Sequence, residues 1–431
     1  MTTDNDIRIV EVPPGVFNAT STVPGDKSLS HRALILTAFA QGTSEINGLG
    51  TGHDVAATVR VLRELGITIT GNQVVSKGID AWTEPSGPLQ CGNSGTTMRL
   101  VAGALAGRPY RAKLMGDRSL SRRPMSRLKG PLEALGATVG LSPIGTPPVE
   151  IAELAGKLSG RNVEIDVASA QVRSAFILAA LQADGTSSVS SPFGFRDHTE
   201  RWLESYERGR RLSRTTFEVY PGPLPTNRYD VAGDPSSAAF LWTAAAIRPG
   251  SKVTTTGVSL NPGRIGYLQV LESMGADVEA QVTTSIEGDP VGWVSVRGTP
   301  LQATEIAGDL TVATLDELPL VAVLAAMAEG VTVVRDAAEL RVKESDRIAS
   351  TVGMIRALGG GAEASNDGFE IIGTGWLESG VVDSVGDHRI AMASAVAAFG
   401  TLGPVHIHGA GVAAISWPSF YDDLETLWSS R

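Results

Sequence analysis

Six Ala-, Leu- and Val-rich segments, each opened by a small or polar turn and closed on or near glycine, constrain this chain more than any other feature. They are GDKSLSHRALILTAFAQG (25–42), GNSGTTMRLVAGALAG (92–107), SAQVRSAFILAALQADG (169–185), GDPSSAAFLWTAAAIRPG (233–250), LDELPLVAVLAAMAEG (315–330) and GDHRIAMASAVAAFG (386–400). Their openings recur at roughly 65 to 80 residues, which predicts one α/β unit used six times. Asp, Asn and Ser at the openings suit helix N-caps, and the closing glycines suit left-handed C-caps. A second theme runs beside the first: VLRELGITI (61–69), PLEALGATV (131–139), VLESMGADV (270–278) and MIRALGGGA (354–362). Each carries a helix into a glycine, at 66, 136, 275 and 359, and three continue into a β-type stretch. WLESYERG, ending at Gly209, reads as a decayed copy.

A chain of 431 residues exceeds one compact core and predicts about two domains. Six units then imply three per domain, with the helix starts facing a shared cleft. Lys27, Arg32, Arg99, Arg173 and Arg389 lie in or near first helical turns. A cation there opposes the macrodipole, so the pattern points to an anionic ligand held by cations and free backbone N–H groups together. Two further clusters, SLSRRPMSR (119–127) and ELRVKESDR (339–347), add Arg122, Arg123, Arg341, Lys343, Glu344, Asp346 and Arg347. Taken alone, each reads equally as a solvated helix face.

Several function classes are disfavoured. The net charge is 36 − 46 = −10, the wrong sign for a nucleic-acid partner. No run of 18 apolar residues predicts a membrane span, and the polar opening MTTDNDIRIVEV does not read as a signal peptide. Cys91 is the only cysteine, which excludes an intramolecular disulfide and fits a reducing, cytoplasmic setting. No His/Cys/Asp spacing suggests a metal site. Among the histidines, His388 is expected to support Arg389, while His31 and His53 read as structural.

PGDKSLSHRA, GNSGTTMRL, SAQVRSA, RDHTER, LDELP, RVKESDR and GDHRIAMA, in this order and spacing, closely resemble the motifs of the 5-enolpyruvylshikimate-3-phosphate synthase family. The resemblance spans about Val23 to Leu427. It implies an α/β fold of two domains, each of three βαβαββ units, in the inside-out barrel arrangement of enolpyruvyl transferases. Residues 1–20 with 232–431 would form a discontinuous first domain and 21–231 the second, with the active site in the cleft between them. The implied reaction moves the enolpyruvyl group of phosphoenolpyruvate to the 5-hydroxyl of shikimate 3-phosphate and releases phosphate. No metal or organic cofactor is implied, and the chain is expected to be a monomer.

The resemblance also assigns roles. Lys27 resembles the lysine shared by both substrates and available for proton transfer. Ser28 and Arg32 would bind the shikimate carboxylate and hydroxyls; Ser169, Gln171, Arg196 and Lys343 complete the shikimate 3-phosphate set. Asn93, Gly95, Arg123 and Gln171 would line the phosphoenolpyruvate side, and Arg347 and Arg389 would clamp its carboxylate and phosphate. Asp316 would deprotonate the 5-hydroxyl, and Glu344 would protonate the methylene carbon. Gly95 leaves room beside phosphoenolpyruvate, which implies glyphosate sensitivity.

Departures from the family pattern leave alternatives open. Phe195 stands before RDHTER where a hydroxyl residue is usual, and Ile415 stands where many members carry a lysine. NPGRIG (261–266) replaces a Thr-containing form, and RGRRLSR (208–214) reads as a solvated surface segment. A diverged paralogue that performs an elimination on shikimate 3-phosphate without phosphoenolpyruvate is the second reading. The sister transferase acting on a UDP-amino sugar, which often uses a loop cysteine, and a non-catalytic binding module rank below it.

Overall fold

Each of the six segments becomes a helix in the computed structural model, which describes residues 6–192 and 194–429. The helices are Lys27–Phe39, Gly95–Leu105, Ala170–Ala180, Pro235–Ala246, Leu318–Met327 and His388–Ala397. Five have side-chain N-caps, from Asp26, Ser94, Ser169, Asp234 and Asp387. Every residue of Pro235–Ala246 and of Leu318–Met327 is buried, so these helices are apolar all round and form cores rather than surfaces. Small residues let such helices approach closely. A Cβ on Gly103 would lie 2.2 Å from the Ala175 carbonyl oxygen, which only glycine allows.

The chain divides into two units, residues 1–24 with 233–284 and 290–431, and residues 25–232 with 285–289. Each has its own apolar core. The tip of the hairpin Asp277–Ile286/Asp289–Arg297 therefore belongs to the second unit. It is fastened there by buried His198, whose Nδ1 lies 2.9 Å from Asp289 Oδ2, and by Arg201, which donates to the Gly288 carbonyl.

One sheet pattern recurs. In the second unit, Leu89–Gln90 runs parallel to Ala112–Met115, which pairs antiparallel with Val149–Ile151 and through it with Val139–Gly140. The same order joins Asn162–Glu164, Ser187–Ser190, Thr216–Val219 and Gly209–Arg211. It also joins Arg228–Asp230, Gln41–Asn47, Gln73–Lys77 and Thr68–Thr70. The first unit repeats it twice, in the sheets around Lys252–Ser259 and Gly330–Val334. Its third sheet departs: Gly380–Asp383, Val405–His408 and Ile7–Val10 make three strands only. Three such sheets in each unit agree with the three βαβαββ copies per domain expected from sequence, the sixth sheet having three strands among the described residues.

Gly66, Gly136, Gly275 and Gly359 all take left-handed backbone, as helix ends of this kind require. In the copy ending at Gly209 the left-handed residue is instead Glu207, at φ 54°. RGRRLSR is largely solvated surface, as expected, with Arg210 and Arg211 exposed on the edge strand Gly209–Arg211 and paired to Glu218 and to Glu204 and Asp197. Among the described residues no helix is long and apolar enough to cross a membrane, and no group of three or more His, Cys, Asp or Glu could hold a metal ion.

Candidate active site

In the second unit the functional side chains stand at the openings of three core helices. Asp26 Oδ1 accepts from the Leu29 amide, which starts the helix at Lys27. Lys27 Nζ lies 3.2 Å from Asp54 Oδ2, on the first turn of helix His53–Glu64. Arg32, one turn along, is buried and donates to the Ser28 carbonyl, Ser174 Oγ and Thr199 Oγ1. Burial, opposed in part by Glu200, Asp26 and Asp289 and reinforced by Arg196, lowers its pKa. Two of its five N–H groups remain for a ligand, and Arg196 is close enough for its charge to be felt there.

The second opening carries Asn93 and Gly95. Asn93 Nδ2 donates to Asp117 Oδ2 at 2.9 Å, and its Oδ1 accepts from Arg123 Nη2. A Cβ on Gly95 would lie 2.8 Å from Arg99 Nη1 and 3.6 Å from Arg123 Nη1, so the glycine keeps two guanidinium groups close to backbone. The third opening carries Ser169 and Gln171. Ser169 Oγ accepts from the Val172 amide as the helix cap, and a capping hydroxyl still has a proton to donate. Gln171 bridges the second and third helices, accepting from Arg99 Nη1 at 2.6 Å and donating to Thr96 Oγ1 at 2.8 Å.

The first unit holds the carboxylates. Asp316 and Glu317 precede helix Leu318–Met327; Lys343 and Glu344 precede helix Arg347–Ala357. Arg347 joins them: Nε donates to Asp387 Oδ2 at 2.8 Å, Nη2 to Asp387 Oδ1 at 3.3 Å and to Glu344, and Nη1 to Asp316 Oδ1 at 3.4 Å. Lys343 Nζ stands 3.8 Å from the same Asp316 oxygen. Burial opposes the charge on Arg347, but Asp387, Glu344 and Asp316 outweigh it and raise its pKa. Burial likewise would raise Asp387, yet the Arg347 guanidinium holds it below the usual carboxylate range.

Arg389 is held differently. Its backbone N–H is capped by Asp387 Oδ1 at 2.9 Å, and Nη1 lies 3.5 Å from Glu317 Oε1. Glu317 also accepts from Ser236 Oγ, which in turn accepts from Arg264 Nη2 at 3.0 Å. His388 is buried with Nδ1 4.0 Å from Asp387 Oδ1, Arg389's capping carboxylate.

The residues picked from sequence thus form two sets. Lys27, Ser28, Arg32, Asn93, Gly95, Arg123, Ser169, Gln171 and Arg196 lie on the second unit, and Asp316, Lys343, Glu344, Arg347 and Arg389 on the first. Asp54, Asp117, Glu317 and Asp387, which hold these groups in place, were not foreseen, and Arg99, picked only as a cation at a helix start, also binds Gln171. Only Asp387 carried a signal, as the N-cap of GDHRIAMA. The ring of Phe195 covers Arg173, its centroid 3.9 Å from the guanidinium carbon. Ile415 ends the short helical turn Ala410–Ile415. Burial pushes the Cys91 thiol up to about 12, which leaves no nucleophile of the loop-cysteine kind.

A family profile described as EPSP synthase (3-phosphoshikimate 1-carboxyvinyltransferase) matches residues 13–424. The 3-phosphoshikimate 1-carboxyvinyltransferase of Limosilactobacillus fermentum is 43% identical over 420 residues, covering 95% of this chain and 96% of that one. An EPSP synthase structure from Acinetobacter baumannii superposes with a TM-score of 0.86 at 36% identity, over 97% of this chain and 98% of that one. The enolpyruvyl transferase NikO from Streptomyces tendae, at 17% identity and a TM-score of 0.77 over 97% of each chain, shares the fold. With the profile running through nearly all of both units, the chain belongs to the EPSP synthase family.

Proposed function

We propose that the protein transfers the enolpyruvyl group of phosphoenolpyruvate to the 5-hydroxyl of shikimate 3-phosphate and releases phosphate. The observation that carries this reading is the convergence of Asp316 and Glu344 on one guanidinium, Arg347. Two carboxylates beside a fixed cation can divide the work of base and acid. Asp316 takes the proton from the 5-hydroxyl as its oxygen bonds to C2. Glu344 gives a proton to C3, so the methylene becomes a methyl group and C2 accepts the attack. In the second half a proton leaves the methyl group as the C2–O bond to phosphate breaks, which restores the double bond in the product.

The remaining roles follow from charge and reach. Lys27, Arg123, Arg347 and Arg389 neutralise the carboxylate and phosphate of phosphoenolpyruvate, with Asn93, Gly95 and Gln171 shaping that side. Ser169, Gln171, Arg196 and Lys343 hold the shikimate phosphate, and Ser28 and Arg32 its ring substituents. Arginine suits planar, bidentate anions and lysine a point charge. The reaction requires both sets of residues. No cofactor is called for. A cytoplasmic monomer is part of the same reading, and light scattering on the purified protein measures the oligomeric state.

The test is incubation with shikimate 3-phosphate, with and without phosphoenolpyruvate. Phosphate release that depends strictly on phosphoenolpyruvate, with an enolpyruvyl ether as product, is the expected outcome. Release that ignores phosphoenolpyruvate would overturn it in favour of elimination.

A further inference from the structure

Arg347 has more carboxylates than a substrate-binding arginine can use. Its guanidinium is 2% exposed and engages Asp387, Glu344 and Asp316 together. Arg389, by contrast, donates from its guanidinium to Glu317 alone among the described residues. The three partners of Arg347 differ in burial. Asp387 is fully buried and straddles Nε and Nη2, so it is a permanent partner. Glu344 and Asp316 are 10% and 18% exposed and occupy the outward donors on Nη2 and Nη1. An incoming anion must compete for those same donors.

The charges near Glu344 make that competition consequential. Lys343 and Asp346 flank it in sequence, and Asp346 is taken up by Arg341 at 2.7 Å. Asp316 faces it from the loop before Leu318, with Lys343 3.8 Å from that carboxylate. Asp387 faces it from the opening of the His388 helix, with His388 Nδ1 4.0 Å from Asp387. Arg347 and Lys343 against Asp316, Glu344 and Asp387 leave this group with one negative charge in excess when these five are ionised and His388 is neutral.

We infer that Arg347 is an exchangeable counter-ion, released by Glu344 when an anionic substrate arrives, and that the released Glu344 then takes up a proton from solvent. The chemistry balances simply: one carboxylate and one solvent proton give one carboxylic acid, and the substrate anion replaces the carboxylate on Nη2. A carboxylate that loses its cation and gains an anionic neighbour favours its neutral form. This is the form able to protonate a methylene carbon, so binding the substrate arms the acid that acts on it. Without substrate Glu344 is held as the anion and has no proton to give. The inference rests on the proposed roles of Arg347 and Glu344.

The test uses the whole protein with saturating shikimate 3-phosphate and phosphoglycolate, an unreactive carboxylate–phosphate probe with no carbon–carbon double bond to protonate. Calorimetry in buffers of different ionisation enthalpy, at about pH 8 where the probe's phosphate is fully ionised, counts protons taken up on binding. Uptake approaching one proton per site is expected in the wild type, and little in Glu344→Gln. That variant should also bind the probe several-fold more tightly, because a competitor for Arg347 is gone. In the wild type, the infrared difference spectrum should gain a protonated-carboxyl band on probe binding, a readout that needs no variant to fold. No uptake and no such band, or equal uptake in both proteins, overturns the exchange. Phosphoenolpyruvate-dependent turnover measured on the same wild-type preparation tests the reaction separately: turnover without uptake sinks only the exchange, and uptake without turnover sinks only the reaction.

Discussion

The ring of Phe195 lies over the guanidinium of Arg173, with 3.9 Å between its centroid and the guanidinium carbon. Beneath the ring, Arg173 is bound to Glu200 at 2.8 Å, to Ser191 Oγ and to the Thr215 carbonyl, and both charged partners are almost fully buried. A buried ion pair is stable only while its geometry and its water-excluding cover persist. The aromatic face supplies that cover and adds its own attraction for the cation. What looked in sequence like a lost hydroxyl is a residue with a structural duty.

Phe195→Leu keeps much of the apolar volume but removes the π face. The expected loss of stability is about 0.5–2 kcal/mol, and Phe195→Ala should lose more because the ion pair becomes open to water. Urea unfolding of the three proteins measures both, and no difference between Leu and Phe would refute the cation–π contribution.

Gly95→Ala places a methyl group 2.8 Å from Arg99 Nη1. The backbone tolerates it, since the clash is with the end of a flexible side chain. Arg99 must swing away, and its 2.6 Å bond to Gln171 is lost. A charged hydrogen bond is worth about 1.5 kcal/mol or more, so KM for phosphoenolpyruvate should rise about tenfold with the melting temperature little changed. The wild type should be inhibited by glyphosate and the variant less so, in the same assay.

Glu317→Leu leaves Arg389 without its carboxylate and Ser236 without its acceptor. Breaking one side of a buried pair costs about 3–5 kcal/mol. Glu317→Gln keeps an acceptor oxygen and should fold nearly normally. Its expected defect is a raised KM for phosphoenolpyruvate with kcat less affected, because Arg389 is no longer oriented by charge. A parallel fall in kcat alone would contradict a positioning role.

His31 sets a pH limit on stability. It is fully buried, and burial first, then Lys27 and Arg32, push its pKa well below 6.5. In the folded protein it stays neutral, whereas in the unfolded chain it protonates as pH falls through 6.5. The unfolded state then binds more protons, so stability is full above that pH and declines below it, by at most about 1.4 kcal/mol per pH unit. His31→Gln should lower stability at neutral pH, through the bond from Nδ1 to Thr58, but flatten this acid decline. Urea midpoints compared above and below pH 6.5 measure the difference.

What could be read in advance was whatever is local in sequence. Five of the six helices are marked by a capping residue at the start, and all six by a closing glycine a few positions past the end, so each could be placed from its own segment. The catalytic and cationic positions came with long motifs. Asp387 and Arg347 are 40 residues apart, and Glu317 and Arg389 are 72. Nothing short-range encodes such pairs, so the saturation of Arg347 and the tether of Arg389 emerge only once the helix openings are side by side. Glu207 took the place of a glycine because a left-handed residue is disfavoured for other side chains, not forbidden.

The pairing of Ile7–Val10 with Val405–His408, and of Asn18–Ser21 with Lys252–Ser259, has a consequence for the order of assembly. The second unit draws its strands from residues 41–219 and 228–230, so its sheets can all be complete before the chain is two-thirds synthesised. The first unit carries its earliest strand unpaired through that whole period, waiting for a partner nearly 400 residues away. On the ribosome, where domains form as their residues emerge, the inserted unit is therefore finished first, and the unit that surrounds it in sequence is sealed last, by its own opening strand.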